Sequence, residues 1–259
     1  MSAILALEFP PVSELIEWKG IFLKDTPFEV NKVVLLMWAT VAIVTTLFLI
    51  AGKRASTNAG LVPSGVQNLV ESGVDFVRKD IVLQTMGPDG MKFMPFLVTL
   101  FFFILVGNLF SVIPFIQFPV NARIALPAFM AIVVWFIYNY VGISKQGFFG
   151  YFKGILKPPG VPTAMLILVA PIEFVSTILV RPLSLAVRLF ANALAGHILL
   201  ATFAVLSTAL LKSTVIGAAV PFALLVGLTG FELLVAVLQA FIFTILTAVY
   251  IGGALHPDH

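Results

Sequence analysis

The sequence predicts an all-α polytopic membrane protein with about five membrane crossings, an amphipathic surface helix, and a final pair of long, strongly tilted antiparallel helices. Of the 259 residues, 60% are hydrophobic and only 10% are charged, against about 45–50% and about 25% in soluble domains. Several apolar runs exceed the roughly 20 residues that a helix needs to cross a hydrocarbon core of about 30 Å. We therefore expect a single membrane domain over residues 1–259, surrounded by a lipid bilayer.

Composition also limits the chemistry. The chain has no cysteine, which excludes disulfides, thiol catalysis and iron–sulfur ligation. The N-terminus carries Glu8 and no positive segment before an apolar core, which predicts neither a cleavable signal peptide nor a transit peptide. The net charge of +3 is scattered over the loops and predicts topology rather than a nucleic-acid partner. We expect no metal and no other cofactor.

Apolar runs and their breaks define the elements of the first half. Residues 1–32 contain three prolines and predict an extramembrane N-terminal arm, and residues 33–51 predict span 1. Apolar side chains recur at helical spacing over 64–84, with charged ones on other faces, which predicts an amphipathic helix on the membrane surface. A helix in a soluble loop fits the same pattern. Residues 93–116 and 124–143 are the predicted spans 2 and 3.

The pattern changes in the second half. Residues 144–161 form a loop of Gly, Pro and Lys that we place in the cytoplasm. Residues 163–211 are almost entirely apolar, and these 49 residues would make a helix of roughly 70 Å. Because the middle of the stretch lacks the polar turn of a hairpin, we predict one long tilted helix, bent near Pro171 and Pro182. Residues 215–253 predict a second long helix.

The distribution of lysine and arginine predicts the orientation. Eight of them lie in loops 52–92 and 144–161, and five lie in the N-terminal arm and the connections on the other side. Since positive charge favours the cytoplasmic side, we expect the N-terminus outside and the C-terminus in the cytoplasm. The absence of a transit peptide and the length favour a bacterial plasma membrane.

Polar side chains inside the long apolar stretch indicate where the function lies. A guanidinium stays protonated at physiological pH, and placing one near the bilayer centre costs about 2.5–3.5 kcal/mol on insertion scales. At about 100° per residue, one face of the helix carries Arg181, Ser184, Arg188 and Asn192, while His197 points nearly the opposite way. A sequence that accepts this cost uses the charge, and Arg188 has no acid within a turn or two of its own helix.

The last long helix carries a matching polar stripe. Glu232, Gln239 and Tyr250 are spaced by seven and eleven residues, which aligns them on one face. Polar stripes on two neighbouring helices, with an imidazole and a carboxylate among them, are typical of an intramembrane proton path. His197 at the first helix would then lie within reach of Glu232, directly or through water.

Structural roles explain some of these residues equally well. Arg181 is explained by a structural ion pair with Glu173, or by a side chain that extends to the interface. A buried histidine such as His197 is also explained by a hydrogen bond between helices. Glu232 as a purely structural group is the less favoured interpretation, since it is the single charge in the last 39-residue apolar stretch, residues 215–253.

Three motifs resemble those of one known family. The segments Arg181–His197, Phe231–Tyr250 and Pro95–Pro114 closely resemble the signature, the final helix and the second-span motif of subunit a of the F-type ATP synthase membrane sector. The three occur in the family's order, and the resemblance extends from about Pro63 to the C-terminus.

The resemblance implies a stator subunit without catalytic activity of its own. Its partners would be a ring of c subunits, each with one membrane carboxylate, and the b subunits of the peripheral stalk. Protons would reach the ring through one half-channel, travel with it and leave through another. Arg188 matches the family's essential arginine, which attracts the ionised ring carboxylate and blocks a direct leak.

Further residues carry over to the half-channels. Asn192, His197, Glu232 and Gln239 match positions along the path by which protons reach the ring. Further residues that we expect to line the channels are Asn108, Ser111, Glu173, Arg181 and Ser184. Two features of this set depart from the family's pattern. At position 111 some relatives have an aspartate, and the spacing between Glu173 and Arg181 is one residue longer than the family leads us to expect.

Two other classes of membrane protein also place ionisable residues at depth. A secondary ion-coupled transporter with an Arg/Glu/His site at the membrane midplane would have internal repeats and broken helices, and the two halves show no convincing repeat. An intramembrane enzyme would need a nucleophile–base set or a metal cluster at depth, whereas the deep spans offer His197 alone.

Overall fold

The structure is a computed structural model that describes residues 29–57, 62–113, 116, 118–157, 165–211 and 215–256. Most of the predicted N-terminal arm lies outside these residues. The described part of the chain is built from helices, and five of them are long and apolar enough to cross a membrane. The predicted fold class, with five crossings and a final long helix pair, is confirmed.

Five helices make up the first part of the described chain. They are α1 (Lys32–Thr57), α2 (Val66–Phe76, continuing through a π-helical segment Val77–Val82 to Leu83–Thr85), α3 (a 3₁₀ turn Pro88–Phe93 followed by Met94–Leu109), α4 (Ala125–Gln146) and α5 (Phe148–Leu156). The apolar side of α2 is buried within the bundle, with Val77, Ile81 and Val82 completely inaccessible. The apolar residues of the amphipathic pattern over 64–84 therefore form the side of the helix that packs against the other helices.

The second predicted span ends earlier than the sequence suggested. The regular helix stops at Leu109, seven residues before the expected end at residue 116. At this point Asn108 accepts two short-range bonds at its carbonyl, from the Ser111 amide at 3.0 Å and the Ser111 hydroxyl at 2.8 Å. A serine side chain that bonds the backbone locally competes with continuation of the helix, so the chain turns here.

The predicted loop 144–161 contains a helix that the sequence analysis missed. Helix α4 ends at Gln146 and is followed by Gly147, whose φ of +72° is a left-handed conformation that glycine adopts without strain. Helix α5 then packs back on α4: the Tyr151 ring lies directly against Gly142, and its hydroxyl donates to Asn139 Oδ1 at 2.9 Å. Burial raises the pKa of Tyr151, so this hydroxyl keeps its proton at neutral pH.

The chain ends in two long helices that pack together. Helix α6 covers Leu166–Leu211, 46 residues or about 69 Å, and helix α7 covers Val215–Leu255, 41 residues or about 62 Å. Each is roughly twice the thickness of a hydrocarbon core of about 30 Å. The prediction of one long helix rather than two ordinary spans is confirmed from Leu166 to Leu211.

Helix α6 is interrupted by a π-helical segment, Ser176–Val180. The Arg181 amide donates five residues back to the Ser176 carbonyl, which leaves the Thr177 carbonyl without its usual partner. Pro182 has no N–H, so the Ile178 carbonyl also lacks its usual donor four residues further along the helix.

Two side chains of α4 supply the missing donors. Tyr138 Oη donates to the Thr177 carbonyl at 2.7 Å, and Trp135 Nε1 donates to the Ile178 carbonyl at 2.9 Å. Backbone groups at membrane depth have no water to bond and must be satisfied within the protein. The π-helical segment is therefore held in place by α4.

The largest buried cluster fixes the relative positions of the helices. It joins the π-helical part of α2 with α3, α4 and the facing sides of α6 and α7. Leu97, Ile104, Leu185 and Ile251 are at most 2% exposed within it. This packing holds the middle of α6 and the C-terminal half of α7 against the α3–α4 hairpin.

Candidate functional site

Four predicted polar residues from three helices line one small cavity, and we call them the Glu232 cluster. Asn108 comes from α3, Asn192 from α6, and Glu232 and Gln239 from α7. The cavity has a volume of about 10 Å³, which is room for roughly one water molecule. Glu232 is 8% exposed and Gln239 is 6% exposed. A carboxyl group and three amides from three helices thus converge on one small cavity.

Glu232 reaches across to α6 at a glycine. Its carboxyl group lies directly against Gly196, where a Cβ atom would overlap both carboxylate oxygens. Any other residue at position 196 would have to displace this side chain. Because His197 follows Gly196 in the chain, the contact brings the acid of α7 to the turn of α6 that carries the histidine.

His197 lies on the buried side of α6, with 9% of its surface exposed. Its ring meets the Phe118 ring edge to face, with centroids 5.0 Å apart and an angle of 74° between the planes. Phe118 belongs to the connection between α3 and α4 and is itself completely buried. The histidine is thus enclosed between α6 and the connection that joins α3 to α4.

Asn121 is a residue that the sequence analysis did not select for the site. It is completely buried, and its Nδ2 donates to Asn108 Oδ1 at 2.8 Å. Its own Oδ1 has no hydrogen-bond partner among the described residues. The available signal was an asparagine between apolar residues in a short membrane hairpin. Ser111 is buried too, but its hydroxyl bonds the Asn108 carbonyl and it does not line the cavity.

A second group of polar side chains, which we call the Arg181 cluster, contains Glu173, Arg181 and Tyr250. Arg181 Nη2 lies 3.5 Å from Glu173 Oε1, and the guanidinium lies over the Tyr250 ring at 5.4 Å from its centroid. The Tyr250 ring in turn meets the Tyr138 ring at 5.9 Å. Tyr250 therefore does not join Glu232 and Gln239, although helical spacing places all three on one face.

The π-helical segment accounts for the unusual spacing between Glu173 and Arg181. A turn with bonds from i to i+5 holds one residue more than an α-helical turn. The segment Ser176–Val180 lies between the two residues and absorbs the extra position, so the ion pair forms. Arg181 and Glu173 side chains are 35% and 39% exposed, which makes this an ion pair at the edge of the bundle.

Arg188 lies on the exposed face of α6, between the two clusters. Its neighbours on this face are apolar and exposed, namely Ala191, Ala195 and Leu199, the last at 42%. Ser184, one turn before Arg188, is partly exposed and belongs to the same face. Among the described residues, no carboxylate lies within 4 Å of the Arg188 guanidinium. A permanent charge thus stands on an apolar face and faces away from the bundle.

The distances along α6 place this charge between the two polar groups. Arg188 is seven residues from Arg181, about 10 Å along the axis, and eight from Gly196, about 12 Å. Arg188 is exposed and His197 is buried, so they occupy different sides of the helix. The helix therefore lies between the exposed charge and the buried histidine.

These helices and clusters define an α-helical, multi-pass membrane protein with ionisable groups between its two longest helices and one fixed cation on its exposed face. The sequence model of the family described as ATP synthase A chain matches residues 34–252. The chain belongs to this family.

Individual relatives agree with the family match. The chain is 45% identical over 252 residues to the ATP synthase subunit a of Parafrankia sp. (strain EAN1pec), covering 95% of this chain and 83% of that protein. It is 40% identical to the ATP synthase subunit a of Frankia alni, covering 93% and 83%. The ATP synthase subunit a of Nitrobacter winogradskyi is 42% identical, covering 86% and 87%.

Proposed function

We propose that the chain is the proton-translocating stator subunit of a rotary ATP synthase. Its relatives carry the name ATP synthase subunit a. The observation that carries the proposal is the position of Arg188, a fixed cation on an exposed apolar face. Along α6 it has the Arg181 cluster, at the edge of the bundle, on one side and the buried Glu232 on the other. The partner on this face is a ring of c subunits, each with one carboxyl group at membrane depth.

The two clusters correspond to two half-channels. The half-channel from the outside leads through Asn108, Asn192, His197, Glu232 and Gln239 to the ring. There the proton binds a ring carboxylate, and the neutral carboxyl group then turns into the lipid. After nearly a full turn the proton leaves through the half-channel that contains Glu173, Arg181 and Tyr250, on the cytoplasmic side. His197 and Glu232 act as a relay, with water between them or by direct contact.

Arg188 acts by electrostatics alone, because it does not release its proton. A guanidinium and a carboxylate 4 Å apart attract each other by about 4 kcal/mol at an effective dielectric constant of about 20. This attraction favours the ionised form of the ring carboxylate as it passes. The same charge opposes the passage of a proton straight from one half-channel to the other.

The assembly follows from this role. The chain does not catalyse ATP synthesis, which takes place in other subunits of the complex. The c-ring lies against the face with Arg188, and the b subunits of the peripheral stalk hold the chain still against it. Its surroundings are a bacterial plasma membrane, with the N-terminus outside and the C-terminus in the cytoplasm.

ATP-driven proton pumping in membrane vesicles with Arg188→Ala tests the proposal. We expect pumping to be lost while the complex remains assembled, because the ring carboxylate loses its fixed counter-charge. Arg188→Lys tests the geometry, since a compact ammonium does not replace the planar guanidinium. Arg78→Ala, at an exposed arginine of α2, is the matched control. Normal coupled pumping by Arg188→Ala would rule out Arg188 as the fixed charge that faces the ring.

A further inference from the structure

A groove runs along the surface of the α3–α4 hairpin and is separate from both polar clusters. It has a volume of about 670 Å³, within the range of roughly 300–1,000 Å³ that is usual for ligand sites. The residues that line it are Lys92, Phe93, Phe96, Phe136, Ile137, Tyr140, Val141, Ser144 and Lys145. The groove is therefore apolar along its walls, with two lysines and a serine among the lining residues.

The two lysines lie at the same end of the hairpin. Lys92 stands in the turn that begins α3, and Lys145 stands in the last turn of α4. Within the described residues, neither lysine forms an ion pair with a carboxylate. The nearby Asp89 faces His256 instead, at 3.6 Å. This end of the groove thus presents two cations that the described part of the chain does not neutralise.

The apolar part of the groove continues toward the middle of the hairpin. A second groove of about 220 Å³ shares Phe96 with the first and is lined further on by apolar side chains that include Phe103 and Met130. From Lys92 to Phe103 the helix rises by about 16 Å. That distance is close to half of a hydrocarbon core of about 30 Å, which is the depth of one leaflet.

We propose that this groove binds an anionic phospholipid. The phosphate lies between Lys92 and Lys145 and accepts a further hydrogen bond from the Ser144 hydroxyl, and the acyl chain follows the aromatic walls toward Phe103. Charge complementarity selects this occupant, because an apolar helix of another protein would cover the walls and leave both lysines without a counter-charge. Basic pockets at the ends of membrane helices recognise anionic headgroups by the same attraction.

Native mass spectrometry of the full chain in detergent tests the headgroup preference. The probes are phosphatidylglycerol and phosphatidylcholine with identical acyl chains. We expect phosphatidylglycerol to bind more tightly to the unaltered chain, and Lys92→Gln/Lys145→Gln to weaken its binding by at least about fivefold. The control is Lys53→Gln/Lys153→Gln, which removes two exposed lysines that do not line the groove. Equal loss in both double variants, or no preference between the lipids, would overturn the proposal.

A second measurement separates a lipid from a protein in the intact membrane. Tyr140 is 74% exposed and lines the groove, so p-benzoylphenylalanine at this position reports what covers it. After irradiation of cell membranes, we expect an adduct whose mass increase matches an anionic phospholipid. A crosslink to a protein segment instead, or adducts that follow the bulk lipid composition, would rule out the site. This result does not depend on the folding of the lysine variants.

Discussion

At Gly196 of α6, the absence of a side chain leaves room for the carboxyl group of Glu232 from α7. We predict that Gly196→Ala abolishes ATP-driven proton pumping, because its methyl group would occupy the position of the Glu232 carboxyl group. The loss cannot come from helix propensity, since Gly→Ala inside a helix is favourable by about 1 kcal/mol. Proton pumping in vesicles is the measurement.

The matched control is Gly227→Ala on α7, where a new Cβ meets no atom within 4 Å. It should pump normally. If Gly196→Ala pumped as well as this control, the contact between Gly196 and Glu232 would have no part in proton transfer.

Asn121 tests whether the buried amides are held as a unit. Asn121→Ala removes the donor to Asn108 Oδ1 and leaves that buried acceptor without its partner. We expect the free energy of unfolding to fall by about 1–3 kcal/mol, measured as a lower melting temperature of the detergent-solubilised chain. Asn68→Ala, at an exposed asparagine of α2, should melt like the unaltered chain. An unchanged melting temperature for Asn121→Ala would show that water replaces the lost donor without cost.

The sequence predicts the direction of a side chain better than its depth. Helical spacing correctly separates Arg188 from His197, because nine residues turn the chain by about half a circle. The same rule aligns Tyr250 with Gln239, yet eleven residues also carry it about 16 Å along the axis. Tyr250 therefore meets Arg181 in the other cluster. Contacts such as Glu232 on Gly196 depend on how α6 and α7 are aligned, which one chain's periodicity does not contain.

At the scale of elements, apolar length was enough to predict the helices that are long enough to cross a membrane, whereas the short helix α5 inside the predicted loop 144–161 was missed. The existence of α1, α3 and α4 and the two long helices followed from runs of apolar residues that only a membrane explains. The π-helical segment of α6 could not be predicted in this way. It depends on the missing N–H of Pro182 together with two donors from another helix, Trp135 and Tyr138. The unusual spacing of Glu173 and Arg181 was its one sign in the sequence.

These donors give a prediction about the π-helical segment. Tyr138→Phe leaves the buried Thr177 carbonyl without its donor, and Trp135→Phe does the same for the Ile178 carbonyl. Each change should lower the free energy of unfolding by about 1–3 kcal/mol, with a matching loss of amide protection around residues 176–182 in hydrogen exchange. Tyr140→Phe, at a 74% exposed tyrosine, is the control. Unaltered protection in both variants would mean that the segment holds its shape without α4.

At the scale of the whole molecule, α6 and α7 together present a long exposed apolar surface. Exposed side chains of α6 such as Leu183 and Val187 continue on α7 with Phe231 and Leu234, at 61% and 59%. Glu232, between the last two, instead points inward at 8%. Glu232 is thus buried while Arg188 is exposed on this surface. This arrangement fits the proposed contact with a rotating ring whose subunits carry carboxyl groups.

We predict that the end of α4 at Ile124 faces the outside and the end at Ser144 faces the cytoplasm, because loops rich in lysine and arginine favour the cytoplasmic side. The chain has no cysteine, so single substitutions report accessibility without a background. Ser144→Cys, at the exposed end of α4, and Ile124→Cys, 50% exposed before its start, mark opposite ends of one helix. An impermeant maleimide should label Ile124→Cys in right-side-out vesicles and Ser144→Cys in inverted ones. The opposite pattern would put the Glu232 cluster nearer the cytoplasm, and the assignments of the two half-channels would have to be exchanged.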